Sequence, residues 1–334
     1  METVSIDVQN HCAACGCACT YCLLGSVKRQ TGVDYFRGRR LAERFADWKQ
    51  RTGSPLPLSY TVGYCAEYPE LADNLAFNRA LGMIGANFLQ VNGVRIRSEA
   101  ETRQWLGHLR RLGIDQIDTS FFGDRAYHDR FAGRSGDYDF MLTATKYAAD
   151  AGLVCAPSIP VTAENADMIA PLLCTLTAFV EPANIHAFLP DYRGRGHLLE
   201  AARLTREDCG RLPAEVRAAL SLRRHKTEAE WLTEDSLPEY TKRALRICLT
   251  EENIEMLESM ACEEIIAYVE GLDDAYYAAI PPIHELAKLY GDPASTRLYR
   301  PRDLFWKWQR RYIAEYGLHI HDVTDERLCG TLRS

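Results

Sequence analysis

The chain has 334 residues, of which 47% are hydrophobic and 25% charged, with a formal net charge of -7. Those values exclude a disordered or collagen-like chain, and the acidic balance argues against a protein built to coat nucleic acid. No apolar run is long enough to span a bilayer, and Met1 to Asn10 lacks the basic start and apolar core of a secretory signal, so no membrane partner and a cytoplasmic location are expected.

In chain order, short β-rich runs alternate with helical patterns. Val4 to Val8 reads as a strand leading into a cysteine-rich loop, and Leu41, Phe45 and Trp48 repeat at helical spacing. Gly53, Pro55 and Pro57 break that helix before a strand at Leu58 to Val62. Phe88 to Val91 reads as a strand ending at the turn signal Asn92-Gly93, then a helix runs from Glu99 to Leu112 and closes at Gly113. Ile114 to Phe122, Leu153 to Val161 and Asn184 to Leu189 are further strands. Helices near Tyr138 to Asp150 and Asn165 to Thr175 separate them. About six βα units imply an α/β fold with a parallel sheet, fewer than the eight of a closed barrel, so a partial (β/α)6 TIM-like barrel is expected.

After about Leu198 the strand signal fades. Ala201 to Arg224 reads as helical and basic, and Thr233 to Tyr240 as a linker. The remainder reads as all-helical: a helix from Thr250 to Met260, one holding Ile265, Ile266 and Val269, one from Pro281-Pro282 to Tyr290, and one from Pro301 to Gly317. The expected division is a barrel over 1–200, a helical connector over 201–235 and a helical C-terminal domain over 236–334. The basic and aromatic residues between Arg297 and Arg311 read as an amphipathic helix rather than a nucleic-acid surface. His319 and His321, beside Asp322, read as an exposed tail rather than a metal site.

Of twelve cysteines, five (Cys12, Cys15, Cys17, Cys19 and Cys22) fall within eleven residues. So tight a group leaves little room for disulfide geometry, and metal or cluster ligation explains it better. Cys15, Cys19 and Cys22 form C-x3-C-x2-C. Three thiolates would leave one iron of a [4Fe-4S] cluster without a protein ligand, as an open catalytic metal site requires. An amino and a carboxylate group of a small molecule could chelate that iron. Cys12-x2-Cys15 and Cys19-x2-Cys22 also look like two zinc half-sites, but only three residues separate them, against about 15–20 in zinc ribbons. A ferredoxin register of C-x2-C-x2-C fails at Ala18. A thioredoxin-like Cys19-x2-Cys22 pair ignores the other cysteines. Cys12 and Cys17 read as adjacent thiols, and Cys65 as a buried filler.

With this spacing, and an aromatic at Tyr21 just before the last cysteine, the sequence resembles the radical S-adenosylmethionine (radical SAM) family over roughly residues 4–200. The family places this motif in the loop after the first strand of a partial (β/α)6 barrel. Phe88-Leu-Gln-Val-Asn92-Gly93 resembles its third strand. Ile117-Asp-Thr-Ser120-Phe-Phe-Gly123 with His128-Asp129, Gly133, Gly136 and Tyr138 resembles the fourth-strand region of peptide-modifying members. Val161 to Asn165 is similar to the end of the fifth strand, and Tyr192-Arg193-Gly194-Arg195-Gly196 to the turn after the sixth. The resemblance implies a [4Fe-4S] cluster on Cys15, Cys19 and Cys22, S-adenosylmethionine (SAM) as cofactor and an external flavodoxin- or ferredoxin-type electron donor. It also implies oxygen sensitivity and SAM contacts from Tyr21, Glu67, Asn92, Ser120, Arg134 and Asn165.

The sequence departs from the family in three places. Gly63-Tyr-Cys65-Ala-Glu67 stands where the family has Gly-Gly-Glu-Pro, Phe122 replaces an aspartate, and Ala132 replaces an arginine, leaving Arg130 or Arg134 for the carboxylate. The fourth strand points to a peptide substrate. The lack of a C-terminal cysteine cluster points to a small metabolite or nucleoside. A zinc- or cluster-binding interaction protein is the alternative from another class.

Overall fold

The structure is a computed structural model, and it describes residues 1–12, 15–22, 32–63, 65–83, 87–192, 194–233 and 237–318. The first part alternates strands and helices: β1 (Glu2–Asn10), α1 (Tyr35–Thr52), β2 (Leu58–Val62), α2 (Leu71–Ala80), β3 (Phe88–Gln90) and α3 (Glu99–Arg111). There follow β4 (Gln116–Ser120), α4 (Arg125–Ala132), α5 (Asp137–Ala148), β5 (Val154–Pro160), α6 (Ala166–Leu176) and β6 (His186–Phe188). The second part holds α7 (Arg206–Arg211), α8 (Ala214–Ala219), β7 (Lys226–Thr227), α9 (Glu228–Thr233) and β8 (Lys242–Leu249). It ends with α10 (Ile254–Ser259), α11 (Cys262–Ala278), α12 (Ile283–Tyr290), β9 (Leu298–Tyr299) and α13 (Pro301–Tyr316).

Local chemistry sets the helix ends. Asp34 caps α1 by accepting from the Arg37 N–H, and Gly53 closes it in the left-handed region at φ 67°. Ser98 and Glu101 form a capping box on α3. Asp124 caps α4 through the Tyr127 N–H.

The fold is α/β with parallel sheets. The six βα strands lie in two sheets, β2-β1-β8 and β3-β4-β5-β6, each parallel throughout. Among the described residues β2 and β3 share no ladder, so the strands described form two ladders there.

The expectation of an all-helical C-terminal region needs correction. Lys242–Leu249 is a strand, and it pairs with β1 from Glu2↔Lys242 to Asn10↔Leu249. Its buried Leu245, Ile247 and Leu249 alternate with Arg246 and Cys248, the period of a half-buried strand. The stretch read as helical and basic over Ala201 to Arg224 holds two short helices, α7 and α8, followed by a bridge in which Leu220 joins Ala187 of β6. Pro213 divides them, because a proline inside a helix removes a hydrogen bond and clashes with the preceding turn.

Each sheet has its own core. Leu89, Ile117, Cys155, Ile159 and Ala187 pack with Leu106, Leu109, Met141, Ala144, Ile169 and Leu172 from α3, α5 and α6. Ile6, Val8, Leu58, Tyr60, Leu245 and Ile247 pack with Leu41, Phe45, Ile265 and Val269 from α1 and α11. Side chains alternate across a strand, so the opposite face is set by the residues between. That face is polar and less buried: Ser59 and Thr61 on β2, Gln90 on β3, Asp118 and Ser120 on β4, Ser158 on β5, His186 on β6 and Arg246 on β8.

Candidate functional site

The cysteine loop leaves the C-terminal end of β1 and is pinned along the C-terminal ends of other strands. The Gly16 N–H donates to the Gly93 carbonyl at 2.7 Å, just beyond β3. Ala18 and Thr20 donate to the carbonyls of Ala132 and Phe131 at 2.8 and 2.9 Å, at the end of α4. The Arg195 N–H, beyond β6, donates to the Cys22 carbonyl at 3.0 Å. Ligand sites in parallel α/β folds gather at this edge of the sheet.

Two glycines let the loop approach so closely. Gly93 lies at φ 83°, and a Cβ there would stand 2.2 Å from the Cys15 sulfur. Gly133, at φ 62°, would press a Cβ against Ala18 at 3.0 Å. Both positions therefore need glycine for conformation and for space.

The loop's return is tied at Asn10, which is fully buried. The Asn10 side chain accepts from the Val33 N–H at 3.0 Å and donates to the Val33 carbonyl at 3.2 Å and the Tyr60 hydroxyl at 3.0 Å. Nothing in the sequence marked Asn10, because the contact joins residues on opposite sides of the loop.

The five cysteines fall into two groups. Cys15, Cys19 and Cys22 are half-buried, whereas Cys12 and Cys17 are buried. Burial raises the Cys12 thiol pKa, with a Tyr68 hydrogen bond opposing it. Cys17 lies 3.7 Å from the buried Asp137 carboxylate, to which its thiol donates. Its contact with Cys15 works downward on the thiol pKa, but the Cys19 hydrogen bond, burial and the Asp137 charge outweigh that and push it to about 12.

Asp137 organises the floor of the loop. His128 and Asp137 are both fully buried and lie 3.1 Å apart. The Phe122 N–H donates to His128 Nδ1 at 3.3 Å, so the ring proton belongs on Nε2 and points to Asp137. The Arg134 guanidinium reaches Asp137 at 3.4 Å and donates to the Val94 carbonyl at 2.7 Å. Asp129 accepts from the Gly136 and Tyr138 N–H groups at 2.6 and 2.9 Å, which fixes the turn carrying Asp137. Tyr21 packs at 5.4 Å from Phe131 and 6.2 Å from Phe122, ring centre to ring centre.

The six expected cofactor contacts are differently placed. Arg134 sits beside the loop, with its guanidinium carbon 3.4 Å from where a Cβ on Gly16 would be. Ser120 is at the end of β4, its hydroxyl 3.5 Å from Gln90 Nε2. The Asn92 amide brackets the Ser120 main chain, accepting from its N–H at 2.6 Å and donating to its carbonyl at 3.0 Å. Asn165 donates to the Phe122 and Pro160 carbonyls at 2.7 and 2.8 Å and accepts from the Thr162 N–H at 2.8 Å. Both of its N–H groups are engaged and it is buried, so a ribose contact there would have to break one of these bonds. Glu67 is ion-paired with Arg97, beside a cavity of about 300 Å3 lined also by Tyr68, Trp105 and His108.

The donor chemistry of Cys15, Cys19 and Cys22 suits iron, since Fe–S clusters are held by thiolates. Among the described residues no three His, Cys, Asp or Glu side chains are gathered in metal-ligating geometry. His319, His321 and Asp322 lie outside the described residues, as do Arg193 and the side chain of Cys65.

No protein-family model matches the chain, and no curated protein matches it. Among solved structures it is similar to SuiB of Streptococcus suis bound to the precursor peptide SuiA, at 14% identity and a TM-score of 0.39 over 56% of this chain and 39% of SuiB. Similarity to a further SuiB structure has a TM-score of 0.36, and to SuiB bound to S-adenosylmethionine 0.39, both at 14% identity and covering 56% of this chain. The chain spans about two fifths of the length of these neighbours, from 39% to 41%.

Proposed function

We propose that this protein is a radical SAM enzyme in which Cys15, Cys19 and Cys22 hold a [4Fe-4S] cluster and leave one iron for the amino and carboxylate groups of SAM. The observation that carries the reading is the C-x3-C-x2-C loop, hydrogen-bonded to the end of α4 and to the segments that follow β3 and β6. When bound, the cluster would supply an electron, from a flavodoxin- or ferredoxin-type donor, that cleaves the sulfonium to a 5′-deoxyadenosyl radical.

The residues around the loop have separable tasks. Arg134 offers a guanidinium beside Cys15 for the SAM carboxylate, and its bonds to Val94 and Asp137 limit its freedom. Ser120 presents a hydroxyl to the polar face of the sheet for the SAM carboxylate or ribose. Tyr21 packs the last turn of the loop against Phe122 and Phe131, which keeps water from the loop's inner side. Cys17 keeps its proton and donates to Asp137, which separates it from the three ligands. Glu67 would meet the methionine amino group only in competition with Arg97. Asn92 and Asn165 act at one remove, by holding the ends of β4 and β5 that carry the pocket. The substrate proposed from the fourth-strand region is a peptide.

Anaerobic reconstitution tests the reading. The protein should bind about four irons and, once reduced, convert SAM to 5′-deoxyadenosine, with Cys19→Ala losing both. Zinc without iron in anaerobically purified protein, or full iron and cleavage in Cys19→Ala, overturns it.

A further inference from the structure

The polar face of the β3-β4-β5-β6 sheet carries a feature that the cysteine loop does not use. At the β6 edge a cavity of about 450 Å3 is lined by His186, Ser221, Arg223, Arg224, His225 and Arg300, with Phe188, Leu189 and Asp191. Three guanidiniums there face one carboxylate, in a chain whose net charge is -7. Asp191 is itself ion-paired with Arg300, which also binds Asp303 at 3.1 Å. The cavity is half open to solvent, and Arg223 brings to it a positive charge that no carboxylate among the described residues pairs, an arrangement that attracts an anion.

His225 adds a side chain with buried, unpartnered ring nitrogens to the cavity wall. Neither ring nitrogen has a hydrogen-bond partner among the described residues, although both are buried. Burial lowers its pKa to about 4, with the Arg300 and Arg203 charges working the same way against the opposing Asp303, so the ring is neutral near pH 7. A neutral imidazole carries one N–H donor and one acceptor, and leaving both unmet costs stability. Arg223 likewise makes no hydrogen bond or ion pair among the described residues, and it is exposed. Both residues line the cavity, so a ligand oxygen there would meet the Arg223 guanidinium and, once the ring turns outward, the His225 N–H.

Register ties this cavity to the candidate cofactor site. Ser120 pairs with Ser158, and Ser158 with His186, on adjacent parallel strands. Two strand spacings put His186 roughly 10 Å from Ser120 along the same face. Asp191 in the cavity wall is followed by Arg195, whose N–H holds Cys22. A ligand reaching from one to the other would be of substrate size.

We propose that this cavity binds an oxyanion group of the substrate, a carboxylate or a phosphate, through Arg223 and His225, and so anchors the substrate beside the cysteine loop. The assignment to substrate rests on the radical SAM reading; the anion site itself does not.

The test is calorimetric titration of the full chain, reconstituted anaerobically, with inorganic phosphate and separately with N-acetylglutamate. At least one probe should bind with a Kd of about 1 mM or tighter. Arg223→Glu should weaken that binding at least about tenfold, and His225→Phe several-fold. Arg111→Glu, a reversal on the exposed side of α3, should leave it unchanged. Binding of phosphate alone supports a phosphorylated small-molecule substrate, and binding of N-acetylglutamate alone an acidic peptide side chain. Arg223 is exposed, so its reversal probes the site without threatening the fold. No binding of either probe up to about 10 mM, or wild-type affinity in Arg223→Glu, overturns the site. SAM cleavage is assayed on the same preparation. Cleavage without probe binding removes the anion site alone, whereas binding without cleavage removes the radical reading and the substrate assignment with it.

Discussion

The two parallel sheets are built in opposite ways. β3, β4, β5 and β6 lie side by side in chain order, each joined to the next through helices that cover the same face. The other sheet sets β1 at its centre, with β2 on one side and β8, from the far end of the chain, on the other. The first sheet is local in sequence, and the second is closed only when the C-terminal part arrives. The cysteine loop starts in the second and is hydrogen-bonded to segments attached to the first, through Gly93, Ala132, Phe131 and Arg195. Its shape therefore depends on both sheets being in place.

The largest expected effect lies where the C-terminal part grips the first sheet. Asp303 is fully buried, accepts from the Tyr192 N–H at 2.9 Å and pairs with Arg203 at 3.2 Å and Arg300 at 3.1 Å. Those guanidiniums hold its carboxyl well below the usual carboxylate range, against the opposing effect of burial. Asp303→Ala leaves two arginines without their buried carboxylate and should cost about 3–5 kcal/mol in urea unfolding. Leu245→Ala in β8 and Ile117→Ala in β4 come next. Both side chains are fully buried, and each change should cost about 2–5 kcal/mol. If the sheets unfold as one unit, both variants shift a single transition; separate transitions would show that the local sheet stands alone.

A smaller effect should appear as pH dependence. The folded pKa of His225, about 4, lies below its ordinary value of 6.5. The unfolded chain takes up a proton that the folded chain refuses, so this contribution to stability is complete above about pH 6.5 and is lost as pH falls toward 4. The loss amounts to at most about 3 kcal/mol, and thermal melts of His225→Phe should lack that segment of the acid limb. The smallest effects are expected at the two asparagine brackets. Asn10→Ala and Asn165→Ala should each cost about 1–3 kcal/mol by stripping buried main-chain groups of partners. Asn10→Ala should also expose the cysteine loop to proteolysis, whereas Asn165→Ala should not, because Asn10 holds Val33 at the loop's return and Asn165 holds the ends of β4 and β5.

The same contrast explains what could be read from the residues. β1 through β6 were legible because each apolar run sits next to its own turn signals and helix. Leu245, Ile247 and Leu249 carry the alternation of a strand just as clearly, yet among flanking helices they read as helical. The two helices α2 and α4 also escaped notice; α2 buries Asn74 and Asn78, whose amides serve the Tyr60 main chain, so it has no clean apolar stripe. At the site, Gly93 and Ser120 were marked by motif. Asn10 and Asp137 were not, since their partners lie elsewhere in the chain.

Periodicity and spacing over a few residues carried the α/β class and the order of the βα units, and they singled out Cys15, Cys19 and Cys22 as the expected cluster ligands. Packing alone set β8 beside β1, gave Cys17 to Asp137 and made Asn165 a strut between the ends of β4 and β5. Each of these joins groups distant in sequence. Local spacing carries no record of such contacts, which form only when the sheets and their covering helices pack.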